Sequence, residues 1–252
     1  MSSETTATFV LVHGSAHGGW CWRKVAPALR AAGHDVFTPT LTGLGERSHL
    51  LTPNVGLETH CQDIIGVLRC EELTDVILVG HSYAGIVISM VADRCPEVLG
   101  RLVYLDAQIP ADGESWADRQ PEVAPERITS AIKFSSEKHL PTVVIQFTPP
   151  VDTAGFLGVR EPVDVAWVSR RIGDHPLSTY IEPARLANPI GNGVPKTYIA
   201  CTGKTLPIFD KSKAQASTQP GWDYRTLDGG HDCMVSEPDA VIEQLLRCAT
   251  RR

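Results

Sequence analysis

Residues 76–85 read VILVGHSYAG, and this stretch decides the fold. The run VILV is apolar throughout, which is typical of a strand buried in a parallel sheet, and the apolar run IVISMVA after the stretch predicts a helix. Ser82 stands on the tight turn between them, where a hydroxyl is presented at the edge of a sheet as a nucleophile. Such a turn needs small neighbours, which Gly80, Ala84 and Gly85 supply.

Strands and helices alternate on both sides of this turn. The predicted strands are 9–12, 34–37, 76–79, 102–106, 197–201 and 222–227. The predicted helices are 20–30, 59–68, 86–92, 163–172, 210–217 and 238–248. Apolar strands that alternate with helices predict an α/β fold, with a mostly parallel, doubly wound sheet of about six strands covered on both faces.

One long segment, residues 107–195, interrupts the alternation. It is rich in proline, includes a strand-like run at 142–147, and is too long to be a structureless loop within one domain. We therefore predict a core formed by residues 1–106 and 196–252, with 107–195 inserted as a cap. The aromatic residues of the cap are expected mainly to form its own small core: Trp116, Phe134, Phe147, Phe156, Trp167 and Tyr180.

Composition narrows the function classes. The chain has 252 residues, 42% hydrophobic, and a net charge of −6, which disfavours nucleic acid or an anionic membrane as a partner. Its first residues lack the features of a signal peptide, and no run approaches the roughly 18 apolar residues of a membrane span. Seven scattered cysteines predict reduced thiols in the cytoplasm. We expect a small-molecule substrate, no metal and no cofactor.

A serine hydroxyl needs a general base, because at its free pKa it is a poor nucleophile. His231 lies in the loop LDGGHD, which follows the last predicted strand and contains two glycines that permit a tight turn. Loops that follow parallel strands meet at one edge of the sheet, so His231 is the candidate base. The alternative is an ordinary surface histidine.

Two backbone N–H groups are predicted to stabilise an oxyanion. The helix after Ser82 directs its free N–H groups and its positive dipole end at the turn, which makes the N–H of Tyr83 one donor. The loop after the first strand, where Gly14 lets the backbone approach a substrate, supplies the N–H of Ser15. His13 in the same loop is expected to be structural.

The segments FVLVHGSAHGGWCW, GHSYAG and GGHD resemble the α/β-hydrolase superfamily, and the resemblance extends over essentially the full chain. Within the superfamily they are similar to the branch of plant methylesterases and hydroxynitrile lyases. This resemblance implies the α/β-hydrolase fold, a Ser-His-acid triad and a possible homodimer.

The third member of the triad is the open question. In the family it is usually an Asp on the loop after the penultimate strand, where this chain has Lys204. Asp232 is adjacent to the histidine and points away from it, Asp228 suits a turn, and Asp210 suits a helix cap. Asp106 ends the strand after the elbow helix, at a position that is small and uncharged in the plant branch. We favour Asp106 as a relocated acid, with Asp210 as the alternative.

The sequence leaves three alternative functions for this site. The first is hydrolysis of a small, largely apolar carboxylic ester through an acyl-enzyme, and amide, carbamate or lactone hydrolysis would use the same groups. The second is cyanohydrin cleavage, although the related lyases carry Thr and Lys where this chain has Gly14 and Asp232. The third is ligand binding without catalysis, which the presence of both Ser82 and His231 disfavours.

Overall fold

The computed structural model describes residues 6–147 and 152–250, and its main feature is a parallel sheet. The strands are β1 (Thr8–Val12), β2 (Asp35–Phe37), β3 (Val76–His81), β4 (Leu99–Leu105), β5 (Val144–Ile145), β6 (His175–Pro176), β7 (Lys196–Cys201) and β8 (Trp222–Leu227). Six of them form one sheet in the order β2-β1-β3-β4-β7-β8, and every neighbouring pair is parallel. The predicted α/β sheet of about six strands is therefore confirmed.

Helices cover both faces of this sheet. They are α1 (Ala26–Ala31), α2 (Leu57–Cys70), α3 (Ala84–Arg94), α4 (Ala124–Glu137), α5 (Thr153–Phe156), α6 (Pro162–Ser169), α7 (Ser178–Ile181), α8 (Asp210–Thr218), α9 (Cys233–Ser236) and α10 (Pro238–Ala249). Successive strand residues point to opposite faces. Leu78 and Tyr104 accordingly belong to one buried cluster with α2 and α3, and Val79 and Leu105 belong to another with α1 and α10.

One predicted helix is divided. A single helix was expected over 20–30, but a 3-10 turn spans Gly19–Trp22 and α1 begins only at Ala26. Pro27 explains the division, because proline has no N–H to donate and fits only the first turn of a helix. The remaining core helices lie within a few residues of their predicted bounds.

The inserted segment differs most from expectation. Its largest helix, α4, was not predicted, and the expected strand over 142–147 is reduced to β5, which pairs antiparallel with the equally short β6. Pro176 in β6 cannot donate to the ladder, which limits the pairing. Residues 148–151 of the predicted cap lie outside the described residues, and the boundaries 107–195 remain a prediction.

Among residues 6–147 and 152–250, no helix is long and apolar enough to cross a bilayer. The first five residues, which belong to the segment predicted not to be a signal peptide, lie outside the described part of the chain.

Candidate active site

The turn after β3 holds Ser82 in a strained conformation. Its φ is +58°, in the left-handed region that residues other than glycine rarely adopt. The neighbours are small for a steric reason: a Cβ at Gly80 would lie 2.8 Å from the carbonyl oxygen of Ala84, and one at Gly85 only 2.1 Å from that of Gln108. The carbonyl of Ser82 accepts a hydrogen bond from Gln108 N, at 3.1 Å. Strain of this kind is typical of a functional turn.

His231 and Asp106 are in direct contact although they are far apart in sequence. The Nδ1 of His231 donates to Oδ2 of Asp106 at 2.7 Å, and the imidazole stacks on the ring of Phe209. The other carboxylate oxygen accepts from the backbone N–H of Cys201 at 3.2 Å and from Lys213 Nζ at 2.8 Å. Asp106 thus directly follows β4, and its carboxylate accepts hydrogen bonds from residues of β7, of α8 and of the loop after β8.

The carboxylate of Asp106 is completely buried, yet it is held ionised. Burial by itself would raise the pKa of this carboxyl group, but the hydrogen bond from His231 and the ammonium of Lys213 outweigh it and lower the pKa below its ordinary value. An ionised acid at this position fixes the tautomer of His231 with its proton on Nδ1. The Nε2 lone pair is then free to accept a proton.

A cavity of about 70 Å³ lies between the sheet edge and the inserted segment. Its polar side consists of Ser15, His17, His81, Ser82, His231 and Asp232. The other residues that line it are Trp116, Gln120, Arg127, Phe147, Phe156, Leu157, Leu206, Ile208 and Phe209. The structure therefore brings the predicted Ser82, His231 and Ser15 to one cavity.

A larger cavity of about 470 Å³ lies within the inserted segment and shares Arg127, Phe147 and Phe156 with the smaller one. Four of the six cap aromatics line one or both cavities: Trp116, Phe134, Phe147 and Phe156. The expectation that these rings mainly form a core of their own therefore leaves out their second role, although Trp116 is also buried and contacts the ring of Tyr180. Burial against a partner and exposure to a cavity both require apolar residues, so sequence does not separate them.

The two predicted oxyanion donors belong to segments that lie next to Ser82. Tyr83 directly precedes α3 and Ser15 follows β1, and neither backbone N–H has a hydrogen-bond acceptor within residues 6–147 and 152–250. The loop approaches closely, since a Cβ at Gly14 would lie 2.8 Å from the Cβ of Ser82. Both N–H groups therefore remain available to a ligand at this turn.

The other acids do not contact the imidazole of His231. Asp210 is the exposed first residue of α8, and Asp228 is also exposed. The carboxylate of Asp232 turns away from its neighbour and pairs with His17, as expected for adjacent residues. Lys204, at the position where the resemblance implied an acid, instead donates to Gly155 O in α5 at 2.6 Å.

His13 occupies the structural place expected for it. Its Nδ1 donates to Gly14 O at 2.8 Å, and its Nε2 accepts from Leu41 N at 3.1 Å. Burial lowers the pKa of His13 to about 3, so the ring is neutral and serves to fix the loop.

Two residues of the site were not predicted. His17 is the second histidine of the pattern H-G-x-x-H-G at residues 13–18, and this spacing is the signal that could have identified it. Lys213 lies in α8, whose polar sequence is typical of a solvent-exposed helix, and no local pattern connects this lysine with Asp106. A metal site is not found: no group of three or more His, Cys, Asp or Glu in the described part of the chain could hold an ion.

Comparison with known proteins gives a consistent result. A model of the alpha/beta hydrolase family matches residues 9–244. The chain is 41% identical to the carbendazim hydrolyzing esterase of Nocardioides sp. (strain SG-4G), over 95% of this chain and 98% of that protein. It is 26% identical to methylesterase 3 of Arabidopsis thaliana, over 96% and 95%.

The fold is also similar to solved structures. An extracellular alpha/beta-hydrolase from Paenibacillus species, described as sharing structural and functional homology with tobacco salicylic acid binding protein 2, superposes with a TM-score of 0.81. The two chains are 25% identical, and the match covers 96% of this chain and 98% of that one.

Proposed function

Because the chain belongs to the α/β-hydrolase family and is an esterase-type, ester-cleaving member of it, we propose that it acts through an acyl-enzyme on Ser82. In this proposal His231 is the general base, Asp106 the triad acid, and the substrate a small, largely apolar ester. The observation that carries it is the 2.7 Å hydrogen bond from His231 Nδ1 to Asp106, beside the cavity that Ser82 and His231 both line.

The first half-reaction transfers the acyl group. His231 Nε2 removes the proton from Ser82 Oγ while Oγ attacks the ester carbonyl carbon, and a tetrahedral oxyanion forms. The imidazolium then gives that proton to the departing alkoxide, so that the alcohol leaves and the acyl-serine remains. The carboxylate of Asp106 stabilises the positive charge that the imidazole carries between these two proton transfers.

The second half-reaction reverses these roles with water. His231 deprotonates the water, which attacks the acyl carbon and expels Ser82 Oγ, and the proton returns to Oγ. In both halves the oxyanion is assigned to the free backbone N–H groups of Ser15 and Tyr83. Removing one such donor from related machinery reduces kcat by about 10²- to 10³-fold.

A carbamate ester is a second candidate substrate, and one comparison favours it. The relative with 41% identity is named for hydrolysing carbendazim, a methyl carbamate, and the match covers nearly the whole of both chains. Carbamate, amide and lactone carbonyls would all use the same nucleophile and oxyanion donors. The smaller cavity, with its apolar wall of Trp116, Phe147 and Phe156, suits a flat and mainly apolar group.

The lyase alternative is disfavoured by the approach of the loop to the nucleophile. The related lyases carry Thr directly after the loop histidine, and here a Cβ at Gly14 would lie only 2.8 Å from the Cβ of Ser82. Release of cyanide from mandelonitrile-type substrates would contradict this interpretation.

Three further expectations belong to the proposal. Residues 107–195 act as a cap, which is supported by the residues that this segment contributes to the lining of the cavity beside Ser82. The protein functions in the cytoplasm, as its scattered cysteines indicate, six of which are buried. It forms a homodimer, as the resemblance to the plant branch implies, and sedimentation analysis would test that state.

The deciding experiment uses purified protein with a panel of methyl, aryl and carbamate esters that includes carbendazim, and with Ser82→Ala as the control. We expect turnover that depends on Ser82, together with covalent labelling of Ser82 by a fluorophosphonate probe, located by peptide mass spectrometry. Failure of the probe to label this residue, or equal turnover by the Ala variant, would overturn the proposal.

A further inference from the structure

A second buried His–Asp pair lies beside the proposed triad. The Nε2 of His17 donates to Oδ2 of Asp232 at 2.9 Å, and the two side chains are 2% and 0% exposed. Both residues line the cavity that contains Ser82. The chemistry described above uses neither of them.

The other nitrogen of His17 is also occupied, since Nδ1 donates to Ser15 O at 2.7 Å. The carbonyl oxygen of Ser15 can only accept, and so can an ionised carboxylate, so with Asp232 ionised the ring of His17 carries two N–H groups as an imidazolium. Burial works against this charge, but the attraction of Asp232 outweighs it and raises the pKa of His17. The pKa of Asp232 is lowered in turn: burial opposes this, and the charge of His17 prevails.

The pair connects two loops that come from distant parts of the sequence. Adjacent residues of the loop after β8 point in opposite directions, His231 to Asp106 on the sheet and Asp232 to His17 in the loop after β1. The backbone between them is fixed as well, because His81 Nε2 donates to His231 O at 3.0 Å. The relative position of the two loops therefore depends on the contact between His17 and Asp232.

The loop after β1 also forms hydrogen bonds with residues of the inserted segment. Ala16 has a φ of +64°, its N–H donates to His175 Nδ1 at 3.2 Å, and its carbonyl accepts from Gly173 N at 2.8 Å. His17 in addition stacks on Trp20, with ring centroids 5.0 Å apart. The hydrogen bond from His17 fixes the carbonyl of Ser15, which leaves the N–H of the same residue directed by a rigid backbone.

We propose that His17 and Asp232 form a positioning pair that fixes the Ser15 N–H of the oxyanion hole relative to His231. The inference rests on the proposed function, since it concerns the same nucleophile and the same oxyanion. Preorganised donors act mainly on the transition state, where negative charge develops. Loss of the pair therefore reduces kcat and leaves the KM of a small neutral ester nearly unchanged.

The test uses Asp232→Asn, His17→Gln and the double variant, with His34→Gln and Asp210→Asn as matched controls outside the cavity. For each protein kcat, KM, thermal midpoint and the affinity of an alkyl boronic acid, which forms a tetrahedral adduct with an active serine, are measured. We expect each single variant to lose about 10²-fold in kcat, with a parallel loss of boronate affinity and a KM within about threefold of wild type. The double variant loses no more than the worse single variant, because both changes remove one contact.

The outcomes separate this inference from the proposed function. A wild-type protein without esterase activity contradicts the proposed function. An active wild type with folded Asp232→Asn and His17→Gln variants that keep kcat within about threefold overturns the positioning pair alone. Additive losses in the double variant, or a rise in KM as large as the fall in kcat, also overturn it. Should Asp232→Asn fail to fold, Asp232→Glu keeps the charge and displaces it by one methylene, and normal kcat in that variant overturns the proposal.

Discussion

The catalytic edge of the sheet and the inserted segment 107–195 are built on different principles. At the edge, the buried imidazoles of His13, His17 and His231 each form a hydrogen bond, and the carboxylate of Asp106 accepts from three donors. In the inserted segment the strands have two residues and two of the helices have four. It also contributes six of the eight large apolar side chains that the described residues expose: Val123, Ile132, Leu140, Phe156, Val163 and Ile181.

This difference assigns separate tasks to the two regions. Buried polar groups that are hydrogen-bonded to one another hold their positions rigidly, which charge stabilisation in a transition state requires. Short elements with exposed apolar side chains can change shape and sequence at little cost in stability, which suits the recognition of a substrate. Changes at the edge should therefore affect kcat, and changes in the inserted segment should affect KM and substrate preference.

The largest expected effect is at the nucleophile. Ser82→Ala removes the attacking oxygen and should reduce kcat by about 10⁴- to 10⁶-fold, as the loss of triad members does in other hydrolases. Steady-state hydrolysis of an aryl ester measures it, with an unchanged thermal midpoint as the control for folding. Substantial residual activity would mean that the rigid edge is not the catalytic region.

The acid of the triad should come next. Asp106→Asn leaves His231 without its negative partner and should reduce kcat by about 10⁴-fold, since the imidazole can then adopt the wrong tautomer. Asp210→Asn is the matched control at an exposed acid, and its effect on kcat should be mild. Near-normal activity in the first variant with a large loss in the second would reverse the assignment.

Replacing Lys213 should have a smaller effect, which can be measured as a loss of unfolding free energy. Lys213→Met leaves the buried carboxylate of Asp106 without its cation and should cost about 3 kcal/mol of unfolding free energy at pH 7. The depressed pKa of Asp106 contributes stability above the unfolded-state value of about 3.9, and this is lost as pH falls through the lower folded value. The difference between wild type and variant should therefore narrow below about pH 4.

Urea denaturation at pH 7 and at about pH 3 measures this difference. Lys211→Met on the same helix is the matched control, because its ion pair with Glu114 leaves Lys211 largely exposed and such pairs contribute little. Equal costs for the two lysines at pH 7 would show that the contact with Asp106 has no special weight.

The smallest effect should be in the inserted segment. Phe156 lines both cavities and is half exposed, so Phe156→Ala should raise the KM of aryl esters by up to about tenfold and leave kcat for a methyl ester nearly unchanged. Val163→Ala, which truncates an exposed side chain outside both cavities, is the control. A large loss of kcat in the Phe156 variant would contradict the division of tasks between the two regions.

The core could be predicted because its signals are local. Apolar runs such as 9–12 and 76–79 have few ways to be buried other than as strands, and the small residues around Ser82 follow from the space at the turn. The inserted segment was predicted less well, since α4 was missed and the run 142–147 gave a strand of two residues. Elements that are stabilised mainly by packing on another region leave a weak pattern in their own sequence.

The candidate site was predictable in part for the same reason. Ser82 and His231 stand in short motifs, whereas the acid was predicted as Asp106 only from its place at the end of a strand, with Asp210 as the alternative. Lys213 was missed because a lysine on a polar helix is most often a solvated surface residue. The contact with Asp106 exists only because α8 packs beside the ends of β4 and β7.

The amino-acid sequence by itself determined the alternating sheet, the strained turn with its serine, and the loop with its histidine, because each depends on residues within one turn or strand. Tertiary structure alone decided which carboxylate meets His231, and it paired His17 with Asp232 across more than 200 positions of the chain. The physical reason is that a hydrogen bond requires atoms within about 3 Å, and such a distance between remote residues is set by how strands and loops pack together.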